Sequence, residues 1–143
     1  MATKQDKIVT GLFFLVVGTL MVFALAATLA PRHPTYSTIS PQKLQAERNA
    51  GKRVILVDVR EPEEYAEGHL PGAVNIPLHQ LSSEQLVQYA GADYVVPYCL
   101  KDFRGFEGAR LALQGGLDNV YLLEGYGLAS WKNAGLPLEG GKP

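Results

Sequence analysis

An open α/β sheet of parallel strands with helices on both faces is the fold this sequence predicts, and two observations carry the prediction. The runs Val54–Val59, Tyr94–Tyr98 and Asn119–Leu123 are apolar almost without interruption, as expected of strands buried on both faces of a parallel sheet. Segments with helix start and stop signals lie between them, so strands and helices alternate along the chain. A third observation sets the N-terminus apart. Residues 8–30 are 23 consecutive positions without a charge, which predicts one transmembrane helix ahead of the α/β domain.

That first element is roughly 35 Å long as a helix, enough to cross a bilayer with some tilt. Lys4 and Lys7 precede it and Ala24-Leu25-Ala26 resembles a cleavage site, so a removed signal peptide is the competing reading. A secretory core is shorter than this run, and no polar face marks it as a buried core helix, so a retained signal anchor is preferred. Residues 1–7 are then a short tail, 31–38 a linker stiffened by Pro31 and Pro34, and 39–143 the domain. The distribution of Lys and Arg gives a slight push toward an exported domain, on the periplasmic or extracellular side.

Within the domain, Ser40-Pro41 starts a helix that runs to Asn49, with serine as cap and proline at the first turn. Val54–Val59 is the first buried strand. Glu61-Pro62-Glu63-Glu64 opens a short helix with acidic residues in its first turn, His69–Ala73 is a turn, and Val74–Ile76 a short strand. Ser82-Ser83-Glu84-Gln85 reads as a helix start. Tyr94–Tyr98 is a strand, followed by a loop and a helix that Gly115-Gly116 closes. Asn119–Leu123 is the last strand, and Leu128–Ala134, with Trp131, the last helix.

A formal charge of −1 on 143 residues lacks the basic excess of a nucleic-acid-binding protein. Chemistry points instead to Cys99, the only cysteine. A lone thiol can neither staple the fold nor build a cysteine zinc site, so it is either packing or a nucleophile. It stands at the end of a strand, before a tight loop that feeds a helix. Backbone N–H groups in that setting favour a thiolate. His33, His69 and His79 have no shared metal spacing, and no metal or cofactor is expected. Phe103, Phe106 and Tyr126 are expected as core or pocket lining, Trp131 as packing, and Glu61, Glu63, Glu64 and Glu67 as a solvated helix face.

The motifs Val57-Asp58-Val59-Arg60-Glu61-Pro62-Glu63-Glu64-Tyr65 and Gly68–Pro77, the Cys99 loop, Val120–Gly125 and Trp131–Pro137 together resemble the single-domain rhodanese-like sulfurtransferases. The resemblance covers Ser40 to Leu138. It implies a cofactor-independent enzyme in which Cys99 takes sulfane sulfur from thiosulfate, a polysulfide or a persulfide, holds it as a persulfide, and yields it to a thiophilic acceptor. Leu100, Lys101, Asp102, Phe103, Arg104 and Gly105 would then form the substrate-binding loop, with Arg104 on the anionic donor. The four residues between Cys99 and Arg104 make a smaller cradle than the five of related phosphatases. Asp58, Arg60 and Glu64 take supporting roles. Arg60 is expected to pair with Glu64, and Asp58 also reads as a loop cap. The partners implied are a small sulfur-containing anion, a thiol acceptor, the membrane through residues 8–30, and room for a membrane-protein partner. The alternative is a catalytically weak docking or sulfide- or redox-sensing module of a membrane complex.

Overall fold

The computed structural model describes residues 15–21 and 35–141. The chain divides at His33–Pro34. In the first unit residues 15–21 are helical, and among the described residues no helix is long and apolar enough to cross a membrane. The remaining positions of the expected span, 8–14 and 22–30, lie outside the described residues, as do the 1–7 tail and positions 31–34 of the linker. The structure thus lends the expected transmembrane helix no support.

The second unit is built on five strands, β1 (Ser37–Ile39), β2 (Val54–Asp58), β3 (Val74–Asn75), β4 (Tyr94–Tyr98) and β5 (Tyr121–Leu123). All pairings among them are parallel: β3-β2-β4 form one ladder, β1 pairs β5, and a single bridge, Val95 to Val120, joins the two in the order β3-β2-β4-β5-β1. Parallel strands require crossovers, and four α-helices lie in them: α1 (Pro41–Asn49), α2 (Pro62–Ala66), α3 (Ser83–Leu86) and α4 (Phe103–Gln114); α5 (Gly127–Asn133) follows the last strand.

The two-sided core follows from the period of a strand. In β2, Val57 and the following Val59 face one way and Leu56 the other; in β4, Val95 and the following Cys99 oppose Val96 and Tyr98. One set packs with Leu86 of α3 and with Ala109 and Ala112 of α4. The other packs with Leu44 of α1 and with Leu128 and Trp131 of α5. Trp131 is packing, as expected, and its Nε1–H donates to the Pro137 carbonyl at 2.8 Å.

Two local points differ from the sequence-based expectation or resolve it. Ser37 and Thr38, expected in the linker, belong to β1. As an edge strand β1 buries only Ile39, so it carries no apolar run to announce it. Pro97 sits inside β4. The Tyr98 carbonyl accepts from Val59 on the β2 side, and the Val95 N–H donates to Asn119 on the β5 side. By this alternation the missing N–H of Pro97 falls toward β5, where a single bridge, Val95 to Val120, joins the strands among the described residues. Its ring faces Gly108 of α4, where a Cβ would lie 2.9 Å from the Pro97 Cβ.

Candidate active site

The loops after β2 and β4, adjacent strands of the sheet, meet at its carboxyl end, where parallel α/β sheets place their reactive groups. The β4 loop carries Cys99. The carbonyls of Cys99 and Leu100 accept from the N–H groups of Leu128 and Ala129 in the first turn of α5, at 2.9 and 3.1 Å. In a trans peptide the N–H points opposite to its carbonyl, so those of Leu100 and Lys101 turn away from α5. Asp102, at φ 64°, reverses the chain into α4. Aspartate tolerates this left-handed conformation better than most residues. The first turn of α4 then adds the N–H groups of Phe103, Arg104 and Gly105. Among the described residues none of the six N–H groups from Leu100 to Gly105 has a hydrogen-bond partner. Such a donor set at the start of a twelve-residue helix is built for an anion.

Glycine stands at two tight positions behind this loop. A Cβ on Gly105 would lie 3.2 Å from Asp102 Oδ1 and 3.3 Å from the Tyr98 Cα, so a larger residue there needs its neighbours to give by a few tenths of an ångström. Gly127, at φ 51°, is tighter: its Cβ would stand within contact distance of both the Cys99 carbonyl oxygen and Asp102 Oδ1. Asp102 therefore turns its carboxyl behind the loop, toward α5. It is 2% exposed, its Oδ1 has no hydrogen-bond partner, and burial raises its pKa to about 6 against the pull of the Gly127 and Cys99 N–H groups.

The β2 loop is organised by charge, and the pairing differs from the expectation. Arg60 binds Asp58, not Glu64: its Nε and Nη2 donate to the carboxylate at 2.7–3.1 Å, and Nη2 also donates to the Gly68 carbonyl at 2.8 Å. Asp58 further accepts the Arg60 N–H at 3.0 Å, so the cap reading of Asp58 holds beside the ion pair. Both residues are buried. The Tyr98 hydroxyl, which accepts the Leu70 N–H at 3.1 Å, is raised far above a normal phenol by burial and by Asp58 beside it.

Glu64, left free of Arg60, crosses to the β4 loop. Its carboxylate takes both terminal nitrogens of Arg104, at 2.6 and 2.7 Å, and also accepts the Glu61 N–H at 3.1 Å. Arg104 thereby lowers the Glu64 pKa to about 2. This corrects two expectations. Glu64 does not stand free on the helix face but is held by Arg104, and the Arg104 fork is filled by that carboxylate, so it is not open to a donor anion. Lys101 is exposed at the mouth.

Two further placements refine the sequence reading. Phe103 and Tyr126 are not core, being 87% and 65% exposed, but line open surface hollows. Cys99 is only 3% exposed and packs on the α4 side of the core. The loop therefore brings together Cys99, six backbone donors and the Glu64–Arg104 pair, while Asp58 and Arg60 brace it from beneath. Gly127 is the residue sequence reasoning missed. Its signal was the Gly125-Tyr126-Gly127 run, in which all three residues have positive φ.

The chain belongs to the rhodanese-like domain family, whose match covers residues 40–134. An uncharacterized protein of Synechocystis sp. is 39% identical over 109 residues, 76% of this chain and 59% of that protein. The chain thus spans about three fifths of this relative's length. A sulfurtransferase of Allochromatium vinosum is 33% identical over 59% of this chain and 78% of its own length. Among solved structures, a thiosulfate sulfurtransferase of Pseudomonas aeruginosa aligns with TM-score 0.60 at 33% identity, covering 78% of this chain and 21% of the larger one. This is a rhodanese-like domain with sulfurtransferase relatives at modest identity.

Proposed function

We propose that the protein is a membrane-tethered sulfurtransferase that carries sulfane sulfur on Cys99. The observation that carries this reading is the ring of six unpartnered N–H groups around the end of β4. A donor such as thiosulfate presents its outer sulfur to the Cys99 thiolate. The Sγ–S bond forms, the S–S bond of the donor breaks, and sulfite leaves with the electron pair. The outer sulfur of the persulfide is an anion, and the loop donors stabilise it as an oxyanion hole stabilises oxygen. A thiolate acceptor then bonds to that sulfur and returns the electron pair to Cys99. The near-complete burial of Cys99 requires the donor to approach end-on, through the loop mouth. The tether rests on the 23-residue uncharged run of the sequence, with the domain on the exported side.

Intact mass of the detergent-solubilised chain, before and after thiosulfate or polysulfide, tests the chemistry. One added sulfur is expected, removable by cyanide and absent from Cys99→Ser. The buried thiol and the filled fork of Arg104 favour a second reading, a docking or sensing module. Folded protein with no adduct from either donor would select docking; an adduct without repeated turnover would select sensing.

A further inference from the structure

Around the mouth of the Cys99 loop the protein exposes more aromatic surface than sulfur transfer needs. Positions 103, 106, 107 and 110 lie on one stripe of α4 at helical spacing, and the first two are phenylalanines, 87% and 44% exposed. Tyr36, itself 42% exposed, meets Phe106 edge-on with ring centroids 5.7 Å apart. Together with Phe103 and Leu78 these rings wall an open groove of about 720 Å³, which the paired Glu107 and Arg110 also line. Phe106 also lines a hollow with Asp102 and Tyr126, so the aromatic surface reaches Asp102 of the Cys99 loop. Exposed patches of this kind mark a surface that meets something.

The chain itself says what covers it. Tyr36 is both a wall of the groove and the point where the domain joins its N-terminal segment. Only residues 31–35 separate it from Ala30, the last residue of the uncharged run. Six residue steps reach at most about 20 Å even fully extended. A segment that spans a bilayer ends at the headgroup layer, where exposed aromatic rings are at home. We propose that Tyr36, Phe103 and Phe106 rest in the headgroup–acyl boundary of the bilayer and hold the mouth of the Cys99 loop at the membrane surface. This rests on the tether proposed above. In this placement Lys101, exposed in the same loop, meets the lipid phosphates. The consequence is functional: donors and acceptors reach Cys99 along the membrane surface rather than from bulk solution.

The test uses the full chain reconstituted in phosphatidylcholine–phosphatidylglycerol vesicles. Tryptophan is placed in the patch by Phe106→Trp, and on α1, across the sheet, by Ala46→Trp. The native Trp131 is buried and gives a common background. Lipids brominated near the headgroup end of the acyl chains are expected to quench about half of the added emission of Phe106→Trp and almost none from Ala46→Trp, with a blue shift only in the former. Tyr36→Trp repeats the measurement should Phe106→Trp fail to fold. Flotation with carbonate-washed vesicles reads the tether separately. A chain that does not float refutes the tether and this proposal with it. A chain that floats, with equal quenching at both positions, overturns the proposal and leaves the tether standing. A blue shift in the Phe106→Trp protein without quenching would also overturn it, by showing that the rings are covered by protein, such as a second copy of the chain.

Discussion

The loops after β2 and β4 leave neighbouring strands at the same end of the sheet, yet they treat hydrogen bonding in opposite ways. In the β2 loop both carboxylate oxygens of Asp58 are bonded, Arg60 is held by Asp58 and by the Gly68 carbonyl, and Asn75 Nδ2 donates to the carbonyls of both Asp58 and Arg60 at 3.0 and 2.9 Å. In the β4 loop the carbonyls of Cys99 and Leu100 are satisfied and, among the described residues, six successive N–H groups are not. Buried polar groups are normally paired, so the contrast separates a brace from a binding site. It teaches that charge in a loop is a poor guide to which loop does the chemistry. The more heavily charged one is the scaffold.

Removing charge from the brace is expected to have the largest effect. Asp58→Ala leaves Arg60 buried without its partner, and breaking one side of such a pair costs about 3–5 kcal/mol. Thermal unfolding should register that loss. A variant with unchanged stability would mean that the β2 loop does not brace the fold.

In the β4 loop the buried carboxyl of Asp102 makes the opposite prediction. Its folded-state pKa, about 6, lies above its ordinary value of 3.8, so the native state holds the proton more tightly than the unfolded chain. Stability is therefore greatest below the unfolded value and falls as pH rises from about 4 to about 6, by on the order of 2–3 kcal/mol. Asp102→Asn keeps the left-handed turn and should remove that decline, so the variant is more stable than the native protein at pH 7. Parallel pH–stability curves for the two proteins would show that Asp102 is not the titrating group.

The Glu64–Arg104 pair, which ties the two loops together, should give the smallest effect on stability. It is about one-third exposed, and pairs screened by solvent contribute about 1 kcal/mol or less. Here the folded-state pKa is depressed, to about 2. The contribution is present above the unfolded value of 4.5 and is lost as pH falls from there toward 2. Glu64→Gln should flatten that acid limb. It also frees the Arg104 fork, so the KM for an anionic donor is expected to fall by roughly 3–10-fold, in keeping with one charge-assisted contact. An unchanged KM would mean that Arg104 does not face the donor.

Much of the fold was legible because its signals are local. Continuous apolar runs marked β2, β4 and β5, the Ser40-Pro41 and Ser82–Gln85 caps marked α1 and α3, and Cys99 announced itself by being alone. β1 was not legible, since an edge strand with one buried residue has no pattern to read. Glu64 was misassigned because helical spacing brings it toward Arg60 in sequence, whereas the competition of Asp58 for Arg60 exists only in three dimensions. Gly127 was missed because the need for glycine there comes from the Cys99 carbonyl and Asp102, 28 and 25 positions away in sequence.

By itself, then, the sequence determined the alternation of strands and helices and the position of the thiol at a strand end. These follow from hydrophobic period and backbone preference, which act over a few residues. The tertiary structure decided which charges pair, which aromatic rings face solvent, and that the loop carbonyls are committed to α5 while the N–H groups beside Cys99 stay free. Each of these depends on groups far apart in the chain competing for the same few ångströms, and no local pattern records who wins.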